Sequence, residues 1–278
     1  MHRKRCLMHA NCQGEELETL LTASPAFNRM YRLTRRTNYT REPIAEEELA
    51  DCGLFLYQYL DEHWGELSSA SLLQRLPAST PALCIPNLFW KSCWPFWTSN
   101  SPIAFGDSLL NRLIDEGAPK AVIIRIYVHG NLQSFINLQE SFEESIAVER
   151  RKELRVCVKT VDFLLKRWQR RPMFHTVNHP GRKALAHAAN GILEAAGLPP
   201  LGWKELAAVF RAGFPSNNDF DLPIHPQVAA FHGLDFAGPE KAYNVFGRRM
   251  TFTEYVIRYI DCRQNGLDKD FLGYLQLM

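Results

Sequence analysis

The segment Asn11-Cys12-Gln13-Gly14 lies between the apolar run Cys6-Leu7-Met8 and the helix-forming stretch Glu15-Glu16-Leu17-Glu18-Thr19-Leu20-Leu21. That layout predicts a strand-to-helix turn. A thiol there faces unpaired backbone N–H groups and the positive end of the helix dipole, a setting that lowers a thiol pKa and also suits an anion. Cys12 is therefore the candidate nucleophile, with Asn11 and Gln13 as groups that orient substrate or stabilise an oxyanion. A second segment, Phe174-His175-Thr176-Val177-Asn178-His179-Pro180, supplies imidazoles at His175 and His179 and a further donor at Asn178. A cysteine and a histidine brought together make either a thiolate–imidazole pair or a base beside an oxyanion site, both of them equipment for acyl transfer. Either histidine reads equally well as a structural hydrogen-bonding residue, and a lone buried cysteine is more often inert than reactive.

Positioning these groups falls to short strands separated by helices. After the first β-turn-α unit, Asn28 to Leu33 reads as a second short strand, and the continuous apolar run Gly53-Leu54-Phe55-Leu56-Tyr57-Gln58 suits a strand covered on both faces. Ala82-Leu83-Cys84-Ile85 reads as another. Helices are expected from Ser108 to Glu116, from Ser145 to Arg170, and from about Gly181 to Ala196, the last stopped by Gly197. A last short strand is expected just before Val177. This order favours an α/β fold, a small, mainly parallel sheet surrounded by many helices, in one domain spanning residues 1–278. Parallel sheets gather ligands at the carboxyl ends of their strands, so the Cys12 turn, the histidine turn and Gln58 are expected to converge there.

Composition narrows the function classes. With a formal net charge of +2, the chain makes no general case for nucleic acid. Its seven cysteines are scattered, with no Cys-x-x-Cys pair, so neither a disulfide framework nor a metal site is suggested and a reducing cytoplasm fits best. The apolar stretch after the basic N-terminus ends at His9, too short for a membrane span. A local basic surface still suits a phosphorylated ligand: Arg35, Arg36 and Arg41 after the second strand, and Arg151 and Arg155 in the basic helix, with Gly14 at the turn as a further cofactor-binding residue. Gly106-Asp107-Ser108-Leu109 spells the nucleophile block of GDSL-type esterases, but it lies far from the first strand, and Asp107 or Ser108 capping a helix explains the same letters. Trp90, Trp94 and Trp97 are best read as core.

Asn11-Cys12-Gln13 after the first strand, Pro86-Asn87-Leu88-Phe89, Phe174-His175-Thr176-Val177-Asn178-His179-Pro180 and Thr251-Phe252-Thr253-Glu254-Tyr255-Val256 together resemble the WcbI family of polysaccharide biosynthesis proteins over nearly the whole chain. The resemblance implies a cytoplasmic protein that binds coenzyme A and uses acetyl-CoA to acetylate a sugar hydroxyl, in association with a capsule-assembly complex. The family's site would fall on Cys12, Gln13, His175 and His179. Ala10 departs from the glycine frequent before the asparagine in this family. Two other classes keep the same residues: a GDSL-like or cysteine-dependent hydrolase that delivers the acyl group to water, and a non-catalytic module that binds coenzyme A or a nucleotide.

Overall fold

The computed structural model of the protein describes residues 3–277 apart from 213 and 215–218. Its contacts divide the chain into two compact units, one of Met1–Leu88, Glu149–Leu164 and Pro180–Ser216, the other of Phe89–Val148, Leu165–His179 and Asn217–Met278.

The first unit is built on four parallel strands, β1 (Lys4–Ala10), β2 (Tyr31–Thr37), β3 (Cys52–Tyr57) and β4 (Ala82–Cys84), in the order β2-β1-β3-β4. β1 is central, which accounts for its apolar run: Cys6, Leu7 and Met8 are fully buried. The α/β expectation holds. The second strand begins later than its sequence suggests, because Ser24 caps a short helix, Pro25–Met30, with Pro25 in its first turn. Helix α1 (Gln13–Thr22) buries Leu17, Leu20 and Leu21 and packs against the helix Arg182–Ala195. Gly14 permits its close approach to the sheet, since a Cβ there would stand 3.0 Å from both Ala10 Cβ and Arg35 Cδ.

The single helix expected from Ser145 to Arg170 is interrupted. A helix runs over Leu138–Glu153 and another over Val161–Leu165. Between them the Cys157 N–H donates to the Cys84 carbonyl, and the buried Glu153 carboxylate accepts the N–H groups of Thr160 and Val161, capping the second helix.

In the second unit, strands are short and antiparallel. Trp97–Thr98 pairs with Gly106–Asp107, and Tyr243–Val245 with Arg248–Met250. The strand Phe174–Thr176 belongs here too and pairs with His179–Pro180, so the histidine turn is not on the parallel sheet as expected. Only Val177 and Asn178 separate it from His179–Pro180, so the chain turns back on itself there as a hairpin. Asp107 is the N-cap of the helix Ser108–Asp115, accepting the Leu110 N–H at 2.8 Å, and it also accepts the Tyr127 hydroxyl. Burial raises its pKa to about 6. Capping therefore accounts for the Gly-Asp-Ser-Leu letters. Trp90 and Trp94 are core residues, the first edge-on to Trp168. Among the described residues no helix is long and apolar enough to cross a membrane, and no cluster of three or more His, Cys, Asp or Glu is placed to hold a metal ion.

Candidate active site

In the first unit, side-chain amides hold the Cys12 turn in place. Gln58 Oε1 accepts the Asn11 N–H at 2.8 Å while its Nε2 donates to the Pro86 carbonyl at 3.3 Å. Asn11 Nδ2 donates to Asn87 Oδ1 at 3.2 Å, and Asn11 Oδ1 accepts the Gln13 N–H at 3.0 Å. Gln13 is fully buried and grips the Leu88 backbone at both ends, its Nε2 donating to the carbonyl at 2.7 Å and its Oε1 accepting the N–H at 3.0 Å. The four amides thus fasten β1–α1 to the chain after β4. Sequence reading placed Asn11, Gln13 and Gln58 at this turn but missed Asn87, whose only signal was its place in the Pro86–Phe89 match.

Cys12 does not have the low pKa expected of it. Burial and the nearby Glu16 carboxylate raise it; backbone N–H groups of Gln13 and Cys12 pull the other way and lose. The first turn of α1 carries Glu15 and Glu16, which take up the positive end of the helix dipole. Glu16 is itself buried, and burial together with Glu15 raises its pKa to about 7. The thiol is thus held protonated.

Of the arginines expected to meet phosphate, Arg35 bonds Glu18 and Thr37, and Arg36 makes two bonds to Glu48, at 2.7 and 2.8 Å. Arg41 lies over the Trp64 ring at 4.6 Å, and Arg155 over the exposed Tyr59 ring at 4.4 Å. Arg151 is exposed.

The second unit holds the histidines in two different ways. His175 Nδ1 is 2.7 Å from Asp221 Oδ1, and Asp221 Oδ2 accepts the Asn244 N–H at 3.3 Å. Backbone pairing fixes that register: the Leu222 N–H donates to the His175 carbonyl and the Asp221 N–H to the Asn244 carbonyl. With Nδ1–H committed to a carboxylate, Nε2 carries the lone pair and is the basic nitrogen. His179 Nδ1 lies 2.8 Å from Thr176 Oγ1, whose hydroxyl donates to Asn178 Oδ1 at 3.1 Å. Burial, with His175 adding to it, lowers the His179 pKa to about 4, so this imidazole is neutral. Asp221 was the partner that sequence reading overlooked.

A sequence profile of the polysaccharide biosynthesis enzyme WcbI matches residues 5–201. The chain belongs to the WcbI family. The match takes in Cys12, His175 and His179 and stops short of Asp221. A solved structure of WcbI, a polysaccharide biosynthesis enzyme, aligns with a TM-score of 0.75 at 18% identity, over 99% of this chain and 94% of that one. It is the native form of that WcbI without a disulfide bond between coenzyme A and one of its cysteines. No curated protein matches the chain significantly.

Proposed function

We propose that this WcbI-family chain binds coenzyme A and transfers an acetyl group from acetyl-CoA to a sugar hydroxyl, in the cytoplasmic assembly of a capsular polysaccharide. The observation that carries the reading is the His175–Asp221 hydrogen bond, which prepares a base for a hydroxyl proton. Coenzyme A is brought to this chain by its likeness to the solved WcbI, and the residues present suit it. Arg155 over exposed Tyr59, and Arg41 over Trp64, each offer a guanidinium beside an aromatic face, a pairing that fits phosphate next to adenine. Arg35 and Arg36, paired with acidic side chains, are poorer candidates.

When bound, acetyl-CoA supplies an activated acyl group. His175 takes the proton from the acceptor hydroxyl at Nε2 as that oxygen bonds the acyl carbon, and gives it up to the departing thiolate as the carbon–sulfur bond breaks; Asp221 holds the ring and offsets the charge the imidazole gains in between. His179, neutral and chained through Thr176 to Asn178, orients the acceptor by hydrogen bonding. Cys12, held as a thiol, is a poor attacking group, which favours direct transfer.

Calorimetric titration with coenzyme A at low salt tests the reading. Saturable binding, weakened by Arg155→Ala, is expected; absence of saturable binding overturns it. In a crystal of the complex, an acceptor oxygen at the thioester carbonyl should come within about 2.6–3.2 Å of His175 Nε2, directly or through one water. An acceptor oxygen out of that reach would remove His175 from the reaction.

A further inference from the structure

Two of the three described non-glycine residues with positive φ, Phe105 at 53° and Phe246 at 51°, flank the same ring in the second unit. Phe220 is the buried centre: Phe105 packs on it at 5.1 Å between centroids and Phe246 stacks on it at 5.3 Å and 17°. Phe105 also meets the His179 ring edge-on at 5.8 Å, and the next residue after Phe220 is Asp221, the partner of His175. The outer two rings are only half buried.

The position of Phe246 is chemically unusual. Val245 pairs with Arg248, so the hairpin between them has a two-residue loop, Phe246-Gly247, with φ of 51° and 81°. A turn with both φ positive strongly favours Asn-Gly or Asp-Gly, whose first residue tolerates the left-handed region. A phenylalanine there works against the turn. Phe105 likewise occupies a conformation disfavoured for a bulky side chain, immediately before Gly106. Strained residues persist where surrounding structure holds them, and they gather at ligand sites.

The geometry points to Phe105 and Phe246, both packed on Phe220, as the wall on which the acceptor sugar ring lies beside the His175–His179 pair. The C–H face of a pyranose suits an aromatic surface, while its hydroxyls need the polar groups that His175, His179 and Asn178 place alongside. The inference rests on the sugar-acetylating reading and names where its acceptor binds.

The test uses the full chain with methyl β-D-glucopyranoside, methyl β-D-galactopyranoside and methyl α-D-mannopyranoside as probes in saturation-transfer NMR, with coenzyme A affinity measured separately. Wild type should transfer saturation to ring C–H protons of at least one glycoside. Phe246→Asn supplies the residue the turn prefers, so it should melt at or above the wild-type temperature while weakening glycoside binding roughly tenfold. Phe105→Gly, which accepts positive φ, should weaken it similarly, and both variants should keep wild-type coenzyme A affinity. Glycoside binding unchanged in both variants, or absent from a wild type that binds coenzyme A, overturns the wall. Absence of coenzyme A binding with ring-dependent glycoside contact intact would instead overturn the transferase reading and leave the wall standing.

Discussion

His175 and His179 lie four residues apart, yet their partners give them different chemistry. A carboxylate supports the charge that a base acquires, whereas a threonine hydroxyl in a buried chain does not. His175→Ala should therefore lower kcat/KM by on the order of 10²–10⁴-fold in an acetyl-transfer assay. Asp221→Asn should fall in the same range with coenzyme A affinity intact, because it disturbs the ring's tautomer rather than the binding surface. Activity near wild type in Asp221→Asn would remove the positioning role. Cys12→Ser should retain transfer within about tenfold, since a thiol kept protonated by burial and Glu16 is a poor nucleophile. Iodoacetamide at neutral pH should accordingly label Cys12 more slowly than free cysteine; rapid labelling would show a thiolate. The residues with chemical capacity were legible because Asn-Cys-Gln and His-x-x-x-His are local patterns. The partners that decide their protonation were not: Asp221 meets His175 across 46 residues, and the effect of Glu16 depends on its burial.

At the scale of elements, α1 carries an internal conflict. Its first turn bears carboxylates that complement the helix dipole, but Glu16 is turned into the structure, where ionisation is disfavoured. The folded pKa of about 7 lies above the unfolded value of about 4.3. Between those limits the native state holds a proton that the unfolded chain has released, so stability from this group falls as pH rises through the window. Glu16→Gln should then stabilise the protein at pH 8 by on the order of 1–3 kcal/mol, and by little at pH 4. Melting temperatures of the two proteins at both pH values check this, and an equal shift at each pH would show a packing effect instead. The parallel strands were largely legible, because β1 and β3 are buried on both faces and read as unbroken apolar runs. The strand expected from Asn28 begins only at Tyr31, because a serine cap and a proline start a helix that takes up Asn28 to Met30. The long helix expected from Ser145 failed because Glu153, which reads as an ordinary helical charge, caps the next helix. Phe246-Gly247 hid a two-residue turn, since its first residue belongs to no turn signature.

Over the whole molecule, buried histidines set the response to acid. Burial lowers His9, His179 and His232 to about 4, with His175 contributing at His179, and it lowers His225 as well despite a bond to the Tyr127 carbonyl. Each has a folded pKa below the unfolded value of about 6.5. Between about pH 6.5 and 4 the unfolded chain therefore binds protons that the native state refuses, and stability contributed by each group is full above 6.5 and lost as pH falls. The slope is up to about 1.4 kcal/mol per pH unit for each histidine. Glu16 and Asp107, with folded pKa values raised to about 7 and about 6, act in the opposite direction over part of the same range. The histidines outnumber them, so the urea midpoint should drop steadily from pH 6.5 to pH 4. Glu16→Gln, by removing one opposing group, should make that drop steeper. A midpoint flat across this range, or unaffected in slope by Glu16→Gln, would mean that these imidazoles are hydrated and titrate as they do in the unfolded chain.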